Sequence, residues 1–103
     1  MDGRTGLIDN LPQGACVEVP ILAGPNGLKP THIGAMPPEL ALLNSIESQT
    51  EEMAVEAYLR KDKSLIYKAV YYDPYTSAKL SLDEMDAMVT EMFEAGKPYQ
   101  TFW

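Results

Sequence analysis

Hydrophobic and polar residues follow two regimes, and the change falls at about Met36. Before Met36, glycine and proline recur and no run holds helical spacing. After it, apolar residues return at intervals of three and four. In the first part, Asn10-Leu11-Pro12-Gln13-Gly14 is a turn cluster. Residues 15–22 are rich in β-branched side chains and bounded by turn signals, which predicts a strand. Pro20 within that run lacks a ladder donor and marks a sheet edge or a strand end. Gly24-Pro25-Asn26-Gly27 is the next turn: proline presets φ, and Asn-Gly tolerates positive φ. A second strand over residues 28–33 completes a hairpin. A hairpin alone is marginal in water, so this one needs a partner surface.

The second regime predicts three to four helices. The first starts at Pro37-Pro38, where proline suits the opening turn, and runs to about Arg60. Its expected buried stripe is Leu40, Leu43, Ile46, Thr50, Met53 and Ala57, with most glutamates off that stripe. Asp62 can cap a second helix carrying Leu65, Ile66, Ala69 and Val70. Asp73-Pro74 stops that helix and can start a short helical turn. Ser81-Leu82-Asp83-Glu84 is a capping box, with Leu80 and Met85 placed for a hydrophobic staple. Leu82, Met85, Met88, Val89, Met92 and Phe93 form the expected apolar face of the last helix. Gly96 is expected at its C′ position, with Pro98 preventing continuation. Tyr99-Gln100-Thr101-Phe102-Trp103 forms an aromatic tail. The fold class is therefore α+β: residues 1–36 as loop and β-hairpin, residues 37–103 as helices.

Composition narrows the function classes. The chain has 103 residues, enough for one domain. One cysteine excludes an internal disulfide framework, and one histidine excludes a multi-histidine metal site. The net charge is -7, which argues against nucleic acid or an anionic membrane surface as partner. Residues 1–36 carry only -1 of it, so the acidic surplus lies on the helices. The N-terminus has no basic region followed by an apolar run of about 7–15 residues, as a signal peptide requires. No stretch approaches the ~20 apolar residues of a membrane span. With a lone reduced thiol, the expected compartment is the cytoplasm.

Candidate chemistry is sparse. Cys16 and His32 are the nucleophile or soft-metal candidates, and their spacing fits no zinc motif. A Cys–His pair would need a third, orienting group to work as a nucleophile. The plainer reading makes Cys16 a small apolar strand residue and His32 a polar one. Glu51-Glu52 and Asp83-Glu84 are adjacent, so on a helix they point about 100° apart and do not form an acid–base dyad. The Met85, Met88 and Met92 stripe fits either a partner helix or ordinary core. Tyr67, Tyr71, Tyr72 and Tyr75 fit an interface or a core rim. The glycines form no phosphate-cradling motif. From the residues alone, no catalytic constellation emerges.

The order of several short segments does carry a resemblance. Gly6-Leu7-Ile8-Asp9-Asn10-Leu11-Pro12, Val17-Glu18-Val19-Pro20, Gly27-Leu28-Lys29-Pro30, His32-Ile33-Gly34 and Met36-Pro37-Pro38-Glu39-Leu40-Ala41 follow one another. Glu52-Met53-Ala54-Val55-Glu56-Ala57, Asp73-Pro74 and Leu80-Ser81-Leu82-Asp83-Glu84 continue the series. Together they resemble the C-terminal portion of the family-4 glycoside hydrolases, the α-glucosidase, α-galactosidase and α-galacturonidase group. The hairpin is also similar to that of the related lactate and malate dehydrogenases, which implies a lactate-dehydrogenase-like C-terminal domain. The resemblance implies an enzyme that uses bound NAD and a divalent metal, usually Mn²⁺, to cleave α-glycosides by oxidation and elimination. The family's nucleotide loop, metal ligands and proton-transfer residues belong to upstream regions, so Cys16 and His32 do not inherit those roles. No catalytic, cofactor-binding or metal residue is assigned here. Asn10 alone is expected near substrate, with a turn role as the plainer reading. The isolated chain is expected to be inactive, either as a fragment or as a truncated product. It is also expected to self-associate through the hairpin edge or the last helix. The alternative is a stand-alone structural or oligomerisation module.

Overall fold

A computed structural model describes residues 6–101 and Trp103; the first five residues and Phe102 of the aromatic tail lie outside the described set. Two strands, β1 (Ile21–Gly24) and β2 (Gly27–Pro30), precede four helices. The helices are α1 (Pro38–Arg60), α2 (Lys63–Tyr72), α3 (Pro74–Ser77) and α4 (Leu82–Gly96). This is the expected α+β order. The chain divides into two compact units, one ending at Ser48 and one spanning Gln49–Trp103.

In the first unit, β1 and β2 pair antiparallel from Ile21↔Pro30 to Gly24↔Gly27. Pro25 and Asn26 form the loop, and Gly27 takes φ +99°, a left-handed value that suits glycine. The strands are shorter than the expected 15–22 and 28–33. Residues 15–20 lie outside the ladder. Pro20 cannot donate, and its carbonyl accepts from the Thr31 amide at 3.0 Å just before β1 begins. Beyond Thr31 the chain turns to another partner: the Ile33 amide donates to the Leu7 carbonyl and the Asp9 amide to the Gly34 carbonyl. Ile8 and Gly34 thereby form a parallel bridge. No local pattern in the sequence announces this pairing.

The helical boundaries agree closely with the sequence. Pro38 opens α1 at a position where its missing amide proton costs nothing, and the Pro37 carbonyl accepts from Leu40 and Ala41. The expected stripe of α1 holds only in part. Thr50 and Ala57 are buried, but Leu40 and Leu43 are exposed and Ala41 is buried instead. Apolar residues surround much of α1, including exposed Leu42, Val55 and Leu59, so spacing does not single out one face.

Arg60 hands over to Lys61, which has φ 57°. The Lys61 amide donates to Tyr58 and the Asp62 amide to Ala57, a Schellman closure built without glycine. The Asp62 side chain then caps α2 by accepting from the Ser64 amide. Asp73 serves twice: its amide closes α2, and its carboxylate caps α3 by accepting from the Thr76 amide at 2.7 Å.

Ser81 and Glu84 form the expected capping box of α4. Met85 and Val89 are its buried residues, while Leu82 and Met92 of the expected apolar face are exposed. Gly96 is the last helical residue rather than C′, and Lys97 follows with helical φ -45° and ψ -42°. A Cβ on Gly96 would lie 2.6 Å from the Gln100 side-chain nitrogen. Glycine there leaves room for the Gln100 side chain, while the Gln100 backbone amide donates to the Gly96 carbonyl.

Candidate functional site

Asp9, Asn10 and His32 of the first unit make their side-chain hydrogen bonds around the parallel bridge. Asn10 stands two residues beyond Ile8, and Met36 two beyond Gly34. The Asn10 side-chain nitrogen donates to the Met36 carbonyl at 2.8 Å, and the Met36 amide donates to Asn10 Oδ1 at 2.8 Å. The Asn10 amide thus imitates a further rung of backbone pairing. Residue 9 lies between these ties. Its carboxylate Oδ1 meets His32 Nε2 at 2.6 Å. A carboxylate only accepts, so Nε2 carries a proton and donates it. Gly34 takes φ +89° opposite this pair, and a Cβ there would lie 4.0 Å from Asp9 Oδ2. The backbone conformation, more than crowding, calls for glycine at this position.

Both members of the pair are open to solvent, with 59% of the His32 and 54% of the Asp9 side chain exposed. Cys16 is an exposed free thiol on an open apolar groove lined by Leu7, Val17, Val19, Ile21 and Leu28. Asp9 supplies His32 with an orienting carboxylate, but among the described residues Cys16 makes no hydrogen bond to His32, so the Cys16–His32 candidate is not assembled. Nothing in the local sequence singles out Asp9. Its partner lies 23 residues away, and only the parallel pairing brings the two together.

The second unit holds a polar seam between α2 and α4. The Tyr67 hydroxyl lies 2.9 Å from Thr90 Oγ1, and the Tyr71 hydroxyl donates to Asp86. That bond, with the Asp86 charge, holds the Tyr71 phenol above its ordinary value. Phe93 stacks at a tilt on Tyr67 and edge-on to Trp103, with centroids 6.1 and 5.8 Å apart. These tyrosines therefore tie helices together, while Tyr72 and Tyr75 are exposed. Glu84 is committed to its cap, as the sequence implies.

Among the described residues, no three His, Cys, Asp or Glu side chains group to hold a metal ion. Asp9 and His32 offer two donors turned toward each other, short of the three protein ligands a catalytic cation usually takes. They do not fit such an ion. Carboxylates stand at the N-termini of α2, α3 and α4, where a dinucleotide phosphate would need free amides. These helix ends do not fit a phosphate. Among the described residues, no helix is long and apolar enough to cross a membrane.

Residues 4–76 match the family described as Family 4 glycosyl hydrolase C-terminal domain. The chain belongs to the family 4 glycosyl hydrolases. The matched region contains the hairpin, the parallel bridge, the Asn10 tie and the Asp9–His32 pair, and it ends within α3. Among relatives, an α-galactosidase of Bacillus subtilis is 40% identical over 92 residues, covering 89% of this chain and 21% of that protein. An α-galacturonidase of Lachnoclostridium phytofermentans is 33% identical, covering 89% of this chain and 20% of that protein. A maltose-6'-phosphate glucosidase of Fusobacterium mortiferum is 28% identical, covering 93% and 21%. The chain spans about a fifth of the length of these family 4 relatives. No solved structure gives a significant match.

Proposed function

We propose that this chain serves as the C-terminal part of an α-glycosidase that hydrolyses α-galactosides, α-glucosides or α-galacturonides. The family 4 match over residues 4–76 carries the reading, and the α-galactosidase relative supports the first of the three sugars. The activity belongs to the complete enzyme. There NAD supplies reversible oxidation of the sugar, and Mn²⁺ polarises its oxygens; residues outside this chain hold both. The chain alone is inactive under this reading, and the compartment is the cytoplasm. Residues 6–12, with Asn10, border the substrate side of the domain.

The test is hydrolysis of the three p-nitrophenyl α-glycosides by the complete enzyme. Activity that requires both NAD and Mn²⁺, greatest on the α-galactoside, is expected. Full activity after both are removed would overturn the cofactor assignment. A second element of the proposal is self-association through the hairpin edge or the last helix. It is supported by exposed apolar side chains there: Ile21, Leu22 and Leu28 on the hairpin, and Leu82 and Met92 on α4.

A further inference from the structure

We infer that Asn10 is a positioning residue, and that the group it positions for a hydroxyl-bearing ligand is the Asp9–His32 pair. The inference rests on the glycosidase reading and refines which residue of the 6–12 run meets the sugar. Asn10 has spent one donor and one acceptor on Met36, in two bonds of 2.8 Å. An amide held at both ends in this way fixes backbone, and it has little freedom to follow a ligand. Asp9 and His32 are in the opposite condition. Their backbones sit at the Ile8↔Gly34 bridge, through the Asp9–Gly34 and Ile33–Leu7 hydrogen bonds. Their side chains reach solvent.

The internal bond uses Nε2–H of His32 and Oδ1 of Asp9. One polar atom is left on each partner: Nδ1 on the imidazole and Oδ2 on the carboxylate. A hydroxyl both donates and accepts, so a pair of sugar hydroxyls is a ligand that can meet both atoms. The bridge and the Asn10 tie hold these atoms in place before the ligand arrives, which lowers the ordering cost of binding.

The test uses the complete enzyme with p-nitrophenyl α-galactoside, and hydrogen exchange at the Met36 amide. His32→Gln and Asp9→Asn leave every backbone tie intact. Each is expected to raise KM about five- to tenfold, the worth of a lost hydrogen bond, while kcat stays within about threefold. Asn10→Ala is expected to raise KM and also to expose the Met36 amide to exchange. An unchanged KM in both His32→Gln and Asp9→Asn would overturn the assignment. So would a raised KM in Asn10→Ala with Met36 still protected, because Asn10 would then touch the sugar itself. If the unmutated enzyme cleaves no α-glycoside, the glycosidase reading fails and takes this inference with it. An active parent with unresponsive variants overturns the inference alone.

Discussion

Lys61 holds the left-handed position that ends α1, a conformation for which glycine is the usual residue. An L-residue there costs about 1–2 kcal/mol against a right-handed conformation. Its ammonium lies 4.5 Å from the Tyr58 ring centre, a contact worth about 0.5 kcal/mol at an exposed site. Lys61→Gly relieves the strain, loses that contact and gives the unfolded chain more freedom. The net expectation is a gain of up to about 1 kcal/mol, read as a higher urea midpoint at unchanged slope. The sequence offers no glycine to mark this turn, yet Asp62 two residues past the helix marks the next start. Asn10 shows a different limit of local reading. A turn role was legible from Asn10-Leu11-Pro12, but its partner Met36 is 26 residues away. Asp9 and His32 are hidden for the same reason, since neither neighbourhood reveals the parallel bridge.

At the level of elements, the caps were the most legible features because each closes within three residues. Asp62–Ser64 and Ser81–Glu84 form as their spacing implies, and Asp73–Thr76 adds a cap to the helical turn expected after Asp73-Pro74. Hydrogen bonds from Ser64, Thr76 and Ser81 hold the Asp62, Asp73 and Glu84 carboxyls below their ordinary values. A carboxyl lowered in the folded state stabilises above its unfolded value, and that contribution disappears as pH falls through the folded value. The melting temperature should therefore drop as pH is lowered from about 5. Asp73→Asn keeps a capping oxygen but removes one titrating group, so its melting temperature should depend less steeply on acid. An identical slope in the variant would count against the cap as the cause. The strands were less legible: β1 starts after Pro20 because pairing, more than β-propensity, decides where a ladder begins. On α4, burial concentrates in Met85 and Val89. Met85→Ala should cost about 2–5 kcal/mol in chemical denaturation, whereas exposed Met92→Ala should cost under about 0.5.

Across the whole molecule, few apolar side chains are buried. Ala41, Ala57, Met85 and Val89 make up the buried apolar set among the described residues, while many large apolar side chains face solvent. That balance supports a chain whose surfaces are completed by further polypeptide, and it accords with relatives about five times its length. The net charge of -7 lies mostly on the helices and residues 1–36 carry only -1, so of the two proposed surfaces charge repulsion is weaker at the hairpin edge. Sedimentation of the isolated chain should show a mass that rises with concentration, and a clean monomer at high micromolar concentration would remove self-association from the account. The family was legible in the order of short segments such as Asn10-Leu11-Pro12 and Val17-Glu18-Val19-Pro20. The sugar was not, because no motif in the sequence marks one hydroxyl pattern. Under the proposed function this chain completes an α-glycosidase whose NAD and Mn²⁺ are held by residues outside it. Side-by-side rates of p-nitrophenyl α-galactoside hydrolysis, with NAD and Mn²⁺ present, decide it. The complete enzyme should turn over and the 103-residue chain should not; turnover by the isolated chain, or none by the complete enzyme on any of the three α-glycosides, would contradict it.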